Sequence, residues 1–348
     1  MKKMIQPEAL KVGANCISAN DARSVKLDFA PMEGITGYVF RQAHAVIYGG
    51  VDRYYSPFIA PGSSHKLTSR ERNDILPEHN QGLCLIPQIL THSAEDFLWV
   101  CEELAEYGYR TVNLNLGCPS GTVTAKKKGS GLLMYPEELD ALLDRIFSDP
   151  MVTGGEILVS VKTRIGKNSP EEWPQLMEIY NQYPIYELTI HPRIQKDFKN
   201  HPDLEVFSSA LEASKNPVVY NGDIFTAADY RRFREQFPTV ERIMLGRGLI
   251  MDPELGEKLL KIEAEETGMD RVCKETEDGP DLVRLRQFHD ALFEAYGELM
   301  SGDRNVLFRM KELWAHMIVQ FPDSPKLEKR IKKSTHLSEY TEAVNELF

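Results

Sequence analysis

Eight short runs of β-forming residues, several of them followed by helix-type sequence, leave this chain few folds to choose from. They are KLDFAPM (26–32), DRYYSPF (52–58), LCLIPQI (83–89), TVNLNLG (111–117), ILVSVKT (157–163), YELTI (186–190), PVVYN (217–221) and VERIMLG (240–246). Between several of them lie helices with explicit start and stop signals. One opens on Ser93 as N-cap, with Glu95 and Asp96 in its first turn, and closes at Gly108. Another starts at Pro136, carries Leu139, Leu142, Leu143 and Ile146 at helical spacing, and stops before Pro150. A third runs from Thr226 through Tyr230 and Phe233 to Pro238. Eight strand–helix units in this length predict a closed (β/α)8 TIM barrel, an α/β fold. An open doubly wound sheet is disfavoured, because no G-x-G-x-x-G opens a helix after the first strand.

From residue 281 the pattern becomes helical only. Leu285, Phe288, Leu292, Tyr296 and Leu299 form one apolar stripe, and Met310, Leu313, Trp314 and Met317 form another. Between barrel and tail, EAEETGMDRVCKETEDGPD (263–281) is acidic and reaches Gly279-Pro280 near its end. The sequence thus predicts a barrel domain over 1–262, a linker over 263–280 and a small all-helical C-terminal domain over 281–348.

Charge and cysteine usage narrow the function classes. A formal net charge of -11 speaks against indiscriminate nucleic-acid binding and leaves room only for a local basic face. Two candidates exist: Lys126, Lys127 and Lys128 in the loop after Cys118, and KLEKRIKK (326–333) with Arg304, Arg309 and Lys311. Either could equally be an ordinary solvated surface. Cys16, Cys84, Cys101, Cys118 and Cys273 are odd in number and widely spaced, which predicts neither a disulfide framework nor a zinc site. Cys101 shares a helical stripe with Phe97, Val100 and Leu104, and Cys84 lies inside a strand run, so both are expected to pack. Cys118 alone stands at an element's end. No apolar run approaches the ~18 residues of a membrane span, and the N-terminus lacks a signal-peptide core, so a cytoplasmic protein is expected.

In such a barrel the C-terminal strand ends face the active site. Here they hold Pro31-Met32, Gln88, Asn115 through Cys118, Lys162 with Arg164, His191 with Arg193, Asn221-Gly222-Asp223 and Gly246-Arg247-Gly248. The last two sets follow strands seven and eight, where barrels commonly hold a ligand phosphate on backbone N–H groups. Position alone therefore predicts a phosphate-bearing cofactor.

At these strand ends, APMEGIT (30–36), NLGCP (115–119), GSGLL (129–133), VKTRIG (161–166), HPR (191–193), NGDI (221–224) and LGRG (245–248) follow one another in the order of a known family. The chain resembles the tRNA-dihydrouridine synthases, and RMKELWAHM (309–317) resembles their helical tail. The resemblance implies FMN as cofactor, NADPH or NADH as reductant, and reduction of specific tRNA uridines to 5,6-dihydrouridine. It also implies tRNA as partner, gripped partly by the helical domain, and a monomer with no obligate protein partner. By the same resemblance Cys118 is the general acid that protonates C5 of uracil, and Lys162 lies against the N1/O2 edge of the flavin. Gln88 hydrogen-bonds the ring, Pro31 and Met32 support it, and His191 stands near the flavin and its phosphate chain. Asn221, Gly222, Asp223, Gly246 and Arg247 correspond to phosphate and ribityl contacts. Asn115, Arg164 and Arg193 are expected at the substrate, and Lys126, Lys127 and Lys128 at the RNA backbone. The stretch HPRIQKDFKNHPDLEVF (191–207) departs from the family in lacking its Arg-Thr step.

The residues by themselves leave other readings open. One is an FMN-dependent reductase of a small-molecule pyrimidine or enone, against which the NLGCP context and the basic tail argue. A barrel lyase using Lys162 as a Schiff base is another, and a yellow protein would dispose of it. A catalytically idle RNA-binding module is disfavoured by the intact Cys118 and Lys162.

Overall fold

A computed structural model describes residues 25–197, 200–266 and 280–348. Its centre is a parallel sheet of nine strands: β1 (Lys26–Phe29), β2 (Arg53–Tyr55), β3 (Leu85–Ile86), β4 (Gln88–Ile89), β5 (Thr111–Leu116), β6 (Leu158–Gly166), β7 (Leu188–Ile194), β8 (Val218–Asn221) and β9 (Arg242–Leu245). Their spatial order is β3-β2-β1-β9-β8-β7-β6-β5-β4. The two end strands are neighbours in the chain, separated only by Pro87, so the sheet curls into a barrel. The third sequence run divides there because proline has no N–H for a ladder. Leu85 and Ile86 pair with β2, whereas Gln88 and Ile89 pair with β5. A bridge from Ile59 to Ile89 narrows the seam.

The two-residue period of a strand sorts the side chains. Leu114 and Leu116 join the core between sheet and helices, while Asn113 and Asn115 turn into the barrel. On β6, Val159 and Val161 face outward, and Ser160, Lys162 and Arg164 face inward. The alternating Asn-Leu run is thus a strand with a polar inner face. Ala30, Tyr55, Ile86, Val219 and Met244 form a small apolar cluster apart from the main core.

The sequence signals for helices hold. Ser93 caps Ala94–Glu106 by accepting from the Asp96 N–H at 3.2 Å. Pro136–Phe147 buries Leu139, Leu142, Leu143 and Ile146. Thr226 and Asp229 form a reciprocal capping box on Ala227–Gln236.

The tail comprises helices Leu282–Leu299, Asp303–Met317, Pro325–Lys333 and Leu337–Asn345. It docks on the helix Tyr38–Ile47: Phe288 lies edge-on to Phe40 at 5.4 Å, and Arg284 donates to the Ile47 carbonyl at 2.6 Å. Both apolar stripes are buried except for Leu299, which is 47% exposed at a helix end. Of the expected linker, residues 267–279 lie outside the described residues, and 263–266 prolong the helix Leu255–Glu266.

Cys101 packs as a buried free thiol, and Cys118 is free. Cys84 departs from expectation, being disulfide-bonded. Among the described residues no helix is long and apolar enough to cross a membrane, and no acidic, histidine or cysteine cluster could hold a metal ion.

Candidate active site

The C-terminal ends of the strands enclose a cavity of about 340 Å³. Every predicted site residue lines it except Lys126, Lys127 and Lys128. Lys127 instead lies 2.5 Å from a Glu138 carboxylate oxygen and 4.1 Å over the Tyr135 ring. Glu33, Phe58, Asp197 and Phe225 also line the cavity. Sequence reasoning missed them, although Glu33 stands within the quoted APMEGIT motif.

A dense set of hydrogen bonds shapes the Cys118 turn. Just beyond β5, the Asn115 side-chain oxygen accepts from the N–H groups of Gly117 at 3.0 Å and Cys118 at 2.9 Å. This Asx-type turn ends the strand. Arg164 Nε donates to the Gly117 carbonyl at 2.9 Å. The Cys118 carbonyl accepts from Ser130 twice, from its N–H at 3.1 Å and its hydroxyl at 2.8 Å. Gly129 makes this approach possible: at φ +57° it adopts a left-handed conformation, and a Cβ there would stand 2.8 Å from the Cys118 carbonyl oxygen. The backbone of Cys118 is therefore fixed, and its thiol opens on the cavity.

A chain of amides braces the floor. Asn115 donates to Gln88 at 2.7 Å, Gln88 to Asn113 at 2.7 Å, and Asn113 to Ser160 at 2.9 Å. Because each amide's orientation is set by the next, Gln88 presents a defined edge to the cavity. Asn115 spends its oxygen on the Cys118 turn.

The electrostatics are lopsided. Lys162 keeps an opening on the cavity, yet the barrel wall strips most of its solvent. That desolvation, with Arg164 beside it, draws its ammonium pKa down to about 7. Burial, and then the neighbouring cations, hold His191 well below the usual histidine range, so its imidazole is neutral. Arg164 falls to about 10 by burial and the nearby Arg193. Burial pushes the Cys118 thiol up; an N–H from Ser120 opposes this and Glu33 adds to it. Among the described residues neither Lys162 Nζ nor the His191 ring has a hydrogen-bond or ion-pair partner. Asp223 is shared by Arg193, at 2.5 Å, and Arg247, at 2.9 Å, while Arg193 Nε is buried without a partner.

The profile described as "Dihydrouridine synthase (Dus)" matches residues 28–346. The chain belongs to the dihydrouridine synthase family. A tRNA-dihydrouridine(16) synthase of Pseudomonas putida is 30% identical over 307 residues, which is 86% of this chain and 90% of that protein. The tRNA-dihydrouridine synthase B of Pasteurella multocida is 27% identical over 232 residues, 66% of this chain and 67% of that one. Among solved structures, a 2-naphthoyl-CoA reductase superposes with a TM-score of 0.51 at 10% identity, over 72% of this chain and 51% of that chain, a likeness of fold alone.

In this dihydrouridine synthase the helical tail overhangs the mouth. Arg309 and Glu312 approach Gly34, in the loop after β1, to within 4 Å of where a Cβ would stand. The basic tail is less free than its sequence suggests. Arg330 pairs with Glu346 at 2.6 Å, and Lys311 donates to the Ser334 carbonyl at 2.8 Å. Lys329, Lys332 and Lys333 have no partner among the described residues.

Proposed function

We propose that this chain is a cytoplasmic tRNA-dihydrouridine synthase that holds FMN in the barrel mouth and takes its electrons from NADPH or NADH. The single observation that carries this reading is the pair of desolvated, unpartnered groups Lys162 and His191, set beside the Gln88 amide and the fixed Cys118 thiol. Such an arrangement suits a planar ligand that can carry negative charge. FMN, when bound, supplies hydride to C6 of the uracil.

The protein's own residues supply the rest. Lys162 would hold the flavin's N1/O2 edge, where negative charge would favour its protonated form. Gln88 would hydrogen-bond the ring, and Pro31 and Met32 would support it. Asn221, Gly222, Asp223 and Gly246 line the phosphate side, where the free Nε of Arg193 and the guanidinium of Arg247 offer donors. The raised thiol pKa keeps Cys118 protonated at neutral pH, so it can give its proton to C5. Arg164 faces the uracil, and Asn115 acts through the turn that it holds. A uridine must leave its stack to reach this depth. Lys126, Lys128 and the tail lysines then meet the RNA backbone, and Lys127 joins them where an RNA phosphate displaces Glu138. In this division of labour residues 1–262 carry the chemistry and 281–348 the second grip on tRNA.

Two experiments test it. Purified protein should be yellow and release FMN, not FAD, on denaturation; a colourless preparation that takes up no added FMN would contradict the reading. Mapping dihydrouridine in tRNA from cells with and without the protein should show one site lost. Position 16, which the Pseudomonas putida relative's name carries, is the first place to look.

A further inference from the structure

Three consecutive residues at the end of β7 and just beyond it each reach a different part of the mouth. Arg193 pairs with Asp223 after β8, and the Ile194 carbonyl accepts from Arg164 Nη1 at 2.8 Å. Gln195 reaches the Cys118 loop. Its side-chain N–H groups donate to the Pro119 carbonyl at 3.2 Å and to the Thr124 hydroxyl at 3.1 Å. Gln195 is 5% exposed and does not line the cavity, so no contact with a ligand accounts for it. It stands just past the HPR motif, in the stretch that departs from the family pattern.

The turn at Cys118 has two arms. The upstream arm is held by Asn115 and Arg164, and the Cys118 carbonyl by Ser130. Downstream, Pro119 has no N–H to offer, so its carbonyl is that residue's one backbone hydrogen-bonding group, and the next N–H, of Ser120, is turned to the Cys118 thiol. Residues 120–122 beyond it are exposed. Gln195 is the side chain that ties this carbonyl down, and through Thr124 it ties the short helix Gly121–Thr124 that follows.

We propose that Gln195 is a positioning residue: from outside the cavity it clamps the downstream arm of the Cys118 turn and so sets the aim of the thiol. The inference rests on the reading of Cys118 as proton donor. A misplacement of about 1 Å at a reacting group can cost roughly 10²-fold in rate. Loosening this arm should therefore act on turnover far more than on tRNA binding, to which Lys126, Lys127 and Lys128 beyond it add only part of the grip.

The test uses the flavin-loaded protein with Gln195→Met, which keeps the shape without donors, and Gln195→Glu, which can still accept from Thr124 but cannot donate to Pro119. For each, kcat and KM for unmodified tRNA are measured. The rate of Cys118 alkylation by iodoacetamide is followed by mass spectrometry of its peptide. Expected are a kcat lower by about 10²-fold, a KM near that of the parent, and faster alkylation as the thiol samples more open orientations. Parental kcat with parental alkylation would overturn the proposal. So would a kcat loss that tracks a falling melting temperature while alkylation stays parental. Should the parent protein itself form no dihydrouridine, the function reading fails. The alkylation comparison still decides for or against the clamp.

Discussion

At the N-terminal end of the barrel, Asp28 is fully buried and receives Arg53 through two bonds, at 3.0 and 2.7 Å. Arg53 also pairs with Glu187 at 2.7 Å, and Arg242 meets Asp28 at 2.9 Å and Glu187 at 3.2 Å. Two carboxylates and two guanidiniums close on one another there. At the mouth, by contrast, Lys162 and His191 stand among Arg164, Arg193 and Arg247 with no carboxylate of their own. Both ends bury ionisable groups in one barrel, but at the mouth Asp223 is taken by Arg193 and Arg247, and Lys162 and His191 are left without a partner among the described residues. Burial without a partner is costly, and a protein folds around it where a ligand completes the set. The balanced end supports the fold, and the unbalanced end is where a ligand belongs.

The strongest way to break this contrast is at the lower end. Asp28→Ala would leave the buried Arg53 and the half-buried Arg242 short of a partner and should cost about 3–5 kcal/mol, read from the denaturant midpoint. A variant as stable as the parent would show that the network is not what closes the barrel base.

At the mouth the sign should reverse. In flavin-free protein, Lys162 is held at a pKa of about 7, below the value near ~10.4 of an unfolded chain. Between these values the unfolded chain binds the extra proton, so this group makes stability rise with pH from about 7 to 10. Lys162→Met should flatten that rise and leave stability at pH 7 equal or higher, while flavin affinity falls. Thermal melts of parent and variant across this range check it; identical pH profiles would mean that Lys162 is not desolvated.

The smallest effect sharpens the contrast at the tail, where charges lie in solvent. Replacing Lys329, Lys332 and Lys333 with glutamine should weaken tRNA binding and reduce the salt slope by less than about one unit per lysine. Arg330 is left out because Glu346 already holds it. An unchanged slope would remove these lysines from the RNA interface.

Much of the barrel was legible because strand periodicity is local. NLNL announces a strand with one polar face, and Ser93, Pro136 and Thr226 announce helix starts. The division at Pro87 was visible as a proline within a run, but its consequence depends on two different partner strands. The mouth residues were legible because strand ends converge in a barrel. What holds them was not: Gln195 and Pro119 are 76 residues apart, and Arg53 and Glu187 are 134 apart. No periodicity reports such approaches. The lysine run was legible only as charge, since the Glu138 that engages Lys127 comes from the next helix.

The central claim is that the fixed, protonated Cys118 thiol at the unbalanced mouth completes the reduction of uracil. The most direct measurement is anaerobic rapid mixing of flavin-loaded Cys118→Ala, following flavin absorbance first with NADPH and then with unmodified tRNA. Flavin reduction should proceed near the parent rate, because the thiol takes no part in it. Reoxidation by tRNA should slow by roughly 10²–10⁴-fold, the usual worth of a positioned general acid. Reoxidation at the parent rate would make Cys118 a packing residue in a tight turn and contradict the account.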